Sequence, residues 1–424
     1  MLPLFRSNDR KAMARFFAAR QSREAEAEKI ARRIIQAVCR DGDRALVRLS
    51  RKLDRTDLAR AGFTVPEKEV ERARREMGRE FITAVEQAAK NIRATAQRQL
   101  PQTWTIRTSA GVKVRQIIRP LDRVACYVPG GRFPLPSTVL MSVIPAQVAG
   151  VSEIFITSPR PAAAVLATAG LLGVRKIFRL GGAQAVAAFA FGTESVPRVD
   201  KIVGPGNRFV AAAKKLLAGT CGIDFVAGPT ELVIVGSAGR PEWIAADLAA
   251  QAEHDPDASA ILVTPSIQLA RRVQKSISRI LADLQLPLAA TALSSSGGVI
   301  VTRSLDEAVE WASRLAPEHL ALLDDAIGHL AQVQSAGAIF LGGYSPVAAG
   351  DYAAGGNHVL PTGGAARVRG GLSAADFVKA ISVQQLSRAG LSGLRRAVVT
   401  LAETEGLKAH AYSVNVRFNH DPRA

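Results

Sequence analysis

Apolar residues recur at three- and four-residue spacing along the first hundred positions, as at Ile30, Ile34, Ile35 and Val38 and again at Phe81, Val85 and Ala88. That spacing predicts helices from about residue 20 to 100. Arg40-Asp-Gly-Asp43 punctuates the first two, with Asp43 placed to cap the second. Alternation takes over at residues 105–107 and 112–118, turning at Ser109-Ala-Gly111, which predicts a hairpin. From there to about residue 345 short apolar strands alternate with helices, the pattern of parallel sheets in an α/β protein. Strand 123–128, helix 136–149 and strand 154–157 are echoed by strand 232–235, helix 241–251 and strand 260–264. The echo predicts two similar, incomplete Rossmann-like domains with parallel sheets, beside a helical N-terminal region. After a Gly-rich stretch at 342–371, the last fifty residues read as a small helical segment ending in a strand-like 412–418.

Length agrees with this division, since 424 residues exceed what one core organises. No apolar leader follows Met1, and the longest small-apolar stretch, 162–174, is too short to span a bilayer. Cys39, Cys126 and Cys221 show no paired spacing and sit among apolar neighbours, so they read as buried thiols of a reducing cytoplasm. The formal charge of +18 is spread through mixed-charge helices without a basic tail or interleaved aromatics. It therefore suggests a solvated, Arg-rich surface that attracts an anionic cofactor, and neither a nucleic-acid nor a membrane partner is expected.

Four Gly-rich turns fall at expected strand ends: Tyr127-Val-Pro-Gly-Gly131, Gly181-Gly-Ala-Gln184, Gly204-Pro-Gly-Asn207 and Ala227-Gly-Pro-Thr230. Glycine lets backbone amides approach a phosphate or ring closely, so together they suggest a nucleotide site. The usual Gly-x-Gly-x-x-Gly fingerprint is absent.

Histidine is used sparingly, with six residues and none before position 254. Four keep acidic or amide company: Gln251-Ala-Glu-His254-Asp255, Pro317-Glu318-His319, Asp351 to Asn357-His358, and Glu405 to His410. Gln251 and His254, three apart at a helix end, can reach one ion, with Glu253 and Asp255 as competitors. Adding Asp351, aimed by the preceding Gly350, and His410 gives a nitrogen and oxygen donor set suited to zinc or a similar divalent ion. Glu318-His319, just after Pro317, is the catalytic pair: His319 could take a proton from an alcohol while Glu318 orients or activates water. His329, flanked by apolar residues on a helix, and His420 in the tail read as structural or surface residues.

Taken together, Tyr127-Val-Pro-Gly-Gly, Gly181-Gly-Ala-Gln, Lys201-Ile-Val-Gly-Pro-Gly-Asn, Gln251-Ala-Glu-His-Asp-Pro, Ala316-Pro-Glu-His-Leu, Gly350-Asp-Tyr, Asn357-His-Val-Leu-Pro-Thr-Gly-Gly and Glu405-Gly-Leu-Lys-Ala-His resemble histidinol dehydrogenase. The resemblance runs from about residue 20 to 417. It implies an NAD-dependent oxidoreductase that converts L-histidinol to L-histidine through the aldehyde, with two NAD⁺ and one water, as the last steps of histidine biosynthesis. It also implies one zinc per subunit on Gln251, His254, Asp351 and His410, and Glu318 and His319 as the acid–base pair. Substrate contacts would come from Thr230, His358 and Glu405 besides His319 and the metal ligands, and NAD contacts from Tyr127, Gln184 and Asn207. The implied assembly is a cytoplasmic, intertwined homodimer whose C-terminal segment completes the neighbour's site.

The domain division that follows is an arm over 1–24, one Rossmann-like domain over 25–125 and 232–372 with the zinc and catalytic residues, an NAD domain over 126–231, and a dimerisation segment over 373–424. Thr230 stands where the family more often has Ser, Gly356 where Pro is usual, and Arg132-Phe133-Pro134 is bulkier than the common form. These departures keep open a related zinc/NAD alcohol dehydrogenase acting on a substrate such as sulfopropanediol, whereas His358 and Glu405 favour a cationic imidazole substrate. A non-catalytic, basic metal- or nucleic-acid-binding protein is the remote alternative, and Glu318-His319 speaks against it.

Overall fold

The computed structural model describes residues 2–18, 24–130, 133–226 and 228–419, so Gly131, Arg132, Ala227 and His420 lie outside the described residues. The chain forms two compact units, Met1–Gln99 with Leu121–Phe377, and Leu100–Pro120 with Val378–Ala424.

The larger unit carries two parallel sheets. In the first, strands Glu231–Val235, Ser259–Thr264, Gly298–Val301, His319–Leu322 and Ala338–Leu341 pair in the order third, second, first, fourth, fifth. In the second, Arg123–Tyr127, Glu153–Thr157, Ile177–Phe178, Lys201–Val203 and Gly222–Ile223 take the same order. That shared order is the doubly wound arrangement, and it bears out the echo in the hydrophobic pattern. Central strands such as Glu231-Leu-Val-Ile-Val235 and Ser259-Ala-Ile-Leu-Val-Thr264 are buried at every position. Helices cover both faces of such sheets, which is why the strands read as unbroken apolar runs.

The smaller unit is an antiparallel sheet of Trp104–Ser109, Val112–Pro120 and Val378–Leu386, with helices Arg388–Thr404 and Lys408–Asn419. Its hairpin matches the expectation, but several local features differ elsewhere. Residues 412–418 are helical, although Tyr412, Val414, Val416 and Phe418 alternate as in a strand. Packing decides the matter: Arg395 reaches from the preceding helix to donate to Asn415 at 2.8 Å and lies over the Phe418 ring. Leu4–Arg6 adds a sixth parallel strand beside Gly298–Val301, too short to produce a periodic signal. Cys39 is exposed whereas Cys126 and Cys221 are buried, because position 39 falls on the outer face of its helix.

Asp43 does not cap a helix. Its carboxylate accepts from the hydroxyls of Thr193 and Ser195, while Gly42 at φ 52° bends helix Glu24–Leu49. His329 sits on a 3₁₀ turn with Nε2 3.3 Å from Asp306, a structural position as expected. Among the described residues no helix is long and apolar enough to cross a membrane.

One buried ion pair ties the second sheet to its turn. Lys214 Nζ lies 2.6 Å from Asp224 Oδ1 and 2.5 Å from the Gly204 carbonyl, and Asp224 accepts the Gly204 and Phe225 amides. Lys214→Ala strands that carboxylate away from water and should cost about 3–5 kcal/mol. The adjacent Lys215 pairs with Glu28 in a partly exposed contact, so Lys215→Ala should cost less than about 1 kcal/mol. Urea denaturation of both variants checks the contrast, and equal losses would refute it.

Candidate active site

Helix Leu305–Leu315 stops at Ala316, whose left-handed φ of 46° costs an alanine about 1–2 kcal/mol. Pro317 prevents the helix from resuming, and the chain turns directly into strand His319–Leu322. Glu318 and His319 therefore enter at the starting edge of the sheet. The next strand comes close: Ala338 donates to the Glu318 carbonyl at 2.9 Å, and a Cβ on Gly337 would stand 2.5 Å from that same oxygen. Glycine is required at 337 for the approach.

The register sets His319 beside Leu232, which puts the Thr230–Glu231 corner against both side chains. Glu318 Oε2 accepts from the Thr230 hydroxyl at 2.5 Å and from the Glu231 amide at 2.9 Å. Gln251 donates to the same hydroxyl, completing a chain Gln251 to Thr230 to Glu318. Burial pushes the Glu318 carboxyl up to about 7, against the opposing pull of His319 and these two donors.

His319 is buried, with Nδ1 3.1 Å from the Glu231 carbonyl and Nε2 3.3 Å from Asp351 Oδ1. Nδ1 also lies 3.6 Å from Glu318, but the nearer carbonyl takes its hydrogen. Both ring nitrogens face acceptors, so the imidazole keeps both protons. Burial alone would depress its pKa; the charges of Glu318 and Asp351 with the two hydrogen bonds outweigh burial and hold it up at about 9. Because Nδ1–H is committed to the carbonyl, Nε2 is the nitrogen that exchanges a proton.

Asp351 lies at the end of helix Val347–Tyr352, and its pKa is lowered because His319 and the charges of His358 and His254 overcome its burial. His358 Nδ1 donates to the Asp351 carbonyl at 2.8 Å, while Nε2 is 3.3 Å from the Thr138 hydroxyl. Burial lowers the His358 pKa, outweighing the opposing pull of Asp351. An open groove of about 390 Å³ flanks Asp351, with Phe340, Tyr344 and Asn357 in its lining, a volume suited to a small molecule.

Gln251, His254, Asp351, Thr230, Glu318, His319 and His358 are thus brought into one neighbourhood. Gln251 is buried in helix Pro241–Ala252, while His254 lies just past the helix end and is exposed. Among the described residues no three His, Cys, Asp or Glu side chains are disposed to hold a metal. The available donors are an amide, an imidazole and a carboxylate, which fit a borderline divalent ion once a further ligand joins them. Glu405 and His410 belong to the smaller unit, at the end of helix Arg388–Thr404 and in the first turn of Lys408–Asn419, and both are exposed there.

The expected cofactor residues occupy the far edge of the second sheet. Tyr127 ends its strand and accepts the Gly182 amide at 3.0 Å. Gln184 is fully buried and donates to Asp54 at 2.8 Å. Asn207 caps helix Arg208–Leu217 by accepting the Phe209 and Val210 amides. Thr138 and the backbone of Glu231 were not anticipated: a hydroxyl in an apolar helix and a peptide group carry no distinguishing sequence signal. Asp54 was hidden in the charged run Arg51-Lys-Leu-Asp-Arg55, whereas Lys214, on an apolar helix face with Val210 and Leu217, was legible in principle.

The sequence profile of histidinol dehydrogenase matches residues 18–418. The chain is 47% identical over 397 residues to histidinol dehydrogenase of Syntrophotalea carbinolica, covering 92% of each. It is 46% identical over 408 residues to that of Thermus thermophilus, covering 95% of this chain and 98% of the other. The crystal structure of histidinol dehydrogenase from Elizabethkingia anophelis superposes with a TM-score of 0.89 at 34% identity, covering 96% of both chains. With its doubly wound sheets and the Glu318–His319 corner in place, the chain belongs to the histidinol dehydrogenase family.

Proposed function

We propose that this chain oxidises L-histidinol to L-histidine through the aldehyde, using two NAD⁺ and one water, as a cytoplasmic enzyme closing histidine biosynthesis. The observation that carries the reading is the His319 imidazole, with Nδ1 held by the Glu231 carbonyl and Nε2 left to exchange protons beside Asp351. Once neutral, His319 takes the alcohol proton at Nε2. Glu318, fixed by Thr230 and Glu231, accepts a proton from the water that adds to the aldehyde. Its elevated pKa suits a base working near neutrality.

Gln251, His254 and Asp351, with His410 donated by a second copy of the chain, would hold one zinc, which when bound anchors the substrate's imidazole and amine. Thr230, His358 and Glu405 would add substrate contacts, with His358 exchanging its Thr138 partner for the ligand. Tyr127, Gln184 and Asn207 would bind NAD⁺, the hydride acceptor. Exchange of the 373–424 segment between two chains is supported by the smaller unit's own surface. Trp104, Ile106, Leu401, Leu407 and Tyr412 are all exposed there, apolar side chains that a second copy would cover.

Two NADH should form per histidinol consumed, counted by absorbance at completion. A yield that stops at one, with aldehyde accumulating, would remove Glu318 from the water step. The pH dependence follows from the sign of the shift. His319 must lose a proton before it can accept one, and its pKa stands above the ordinary value. First-step NADH formation should therefore rise with pH and level off near pH 9. Glu318→Gln removes the largest of the charges supporting that proton, so the rising limb should move to lower pH. A profile that is flat or falls through neutrality would exclude His319 as the base.

His319→Ala and His410→Ala should each be inactive, while co-expression of the two should restore about half of wild-type activity per mixed dimer. One site of that dimer receives both lesions and the other neither. A mixed dimer that forms and stays inactive would place His410 in its own chain's site.

A further inference from the structure

Helix Arg208–Leu217 buries one charged side chain, Lys214; the others it buries, Val210, Ala211, Ala212, Ala213 and Leu217, are apolar. The Lys214 side chain is 3% exposed, and that of its partner Asp224 is fully enclosed. Taking two charges out of water costs more than their attraction returns unless further hydrogen bonds hold them, and an apolar pair of similar volume often serves stability as well. Stability alone is therefore a poor reason for this pair. A better one lies in where its remaining hydrogen bonds go.

Each partner reaches the same glycine. Lys214 Nζ donates to the Gly204 carbonyl at 2.5 Å, and Asp224 Oδ2 accepts the Gly204 amide at 2.7 Å. One ion pair thus grips the peptide groups on both sides of Gly204. That residue has φ 108°, and a Cβ there would collide with the Tyr127 carbonyl, so only glycine lets the turn rest against the end of strand Arg123–Tyr127. Three residues on, Asn207 commits Oδ1 to the Phe209 and Val210 amides, which leaves the Nδ2 of this exposed side chain to a ligand. Asp224 is itself fixed from the other side. Arg369 donates to its carbonyl and, at 2.9 Å, to Asp376, and lies over the neighbouring Phe225 ring at 4.9 Å.

Resting on the reading of Asn207 as a cofactor contact, we infer that Lys214 and Asp224 are positioning residues for the reaction, holding the Gly204-Pro-Gly-Asn207 turn in its binding conformation before NAD⁺ arrives. A glycine-containing turn without such a grip samples several backbone conformations, and apparent affinity falls with the fraction that is competent to bind. Neither side chain has the exposed surface to touch a ligand. Their effect on the cofactor passes through the turn alone, and the histidinol site is not reached by it.

The test is steady-state kinetics with calorimetric titration of NAD⁺ into the full-length protein, and thermal melts to report folding. Lys214→Met/Asp224→Asn removes both charges together, so no unpaired charge stays buried, and it releases the Gly204 carbonyl. KM and Kd for NAD⁺ should rise about tenfold, as when about one-tenth of the turns are competent, while KM for histidinol holds. A pair that serves stability alone would lower the melting temperature without that split. A folded double variant with unchanged KM for NAD⁺, or with both KM values raised equally, would overturn the inference. If the double variant does not fold, amide hydrogen exchange of wild type decides. The Gly204 amide should already be protected without ligand and gain little with NAD⁺, and protection that appears only on binding would overturn the inference. Asn207→Ala separates this inference from the reading beneath it. If that variant binds NAD⁺ as wild type does, the turn is not the cofactor site and both fall. If it binds NAD⁺ more weakly while the folded double variant does not, the positioning role alone falls.

Discussion

The contact between His319 Nδ1 and the Glu231 carbonyl is the constraint on which the rest of the site depends. It joins a side chain at the first position of one strand to the backbone at the first position of its neighbour, so ring orientation is inherited from the sheet. A base on a loop would need its own rotamer locked by packing. Here the ladder between 231–235 and 319–322 does that, and the same Glu231 residue turns its amide to Glu318. The two peptide groups that flank Glu231 therefore fix both the Glu318 and the His319 side chains.

The electrostatics follow from this placement. Glu318 and His319 are adjacent in sequence, both are buried, and each shifts the other: the carboxylate supports the imidazolium, and the imidazolium restrains the rise that burial imposes on the carboxyl. Asp351 supplies the second negative charge from a different element, the short helix after the fifth strand of the sheet. A pair with elevated, interdependent proton affinities is what proton transfer to and from a substrate requires, whereas a solvated pair on a surface would titrate near ordinary values. Anything bound at Asp351 therefore acts on the proton affinity of His319.

Much of this was legible in the sequence because it rested on unusual side chains in unusual company. Glu318-His319 after Pro317 and Gln251 near His254 stand out against a chain poor in histidine, and the apolar runs at 232–235 and 260–264 announced buried parallel strands. What escaped was carried by the backbone or by context. The Glu231 carbonyl has no sequence signature, and Leu4–Arg6 is too short to show a period. Segment 412–418 alternates like a strand yet is drawn into a helix by Arg395. Asp54 sits in a run of charged residues, and only the fold reveals that it turns inward to Gln184.

The two sheets share a strand order, but the polar clusters described above lie at opposite edges of them. Thr230, Glu318 and His319 stand where strands of the first sheet begin, while Tyr127, Gly181 and Gly204 stand where strands of the second end. Doubly wound sheets ordinarily bind ligands only beyond strand ends, where helix N-termini favour anions. The Gly-rich turns of the second sheet lie on that side, whereas the Glu318–His319 corner lies on the edge of the first where helices finish and backbone carbonyls point outward. That edge favours positive charge, and a protonated His319 among carbonyl and carboxylate oxygens is consistent with it. The link between the two is short: the loop at 357–359 holds Thr138 through His358 and the Met141 carbonyl through Asn357, both on the first helix of the second sheet. One strand order thus carries two chemically distinct edges, and the contacts of His358 and Asn357 on helix Pro136–Ala149 tie the loop beside Asp351 to the second sheet.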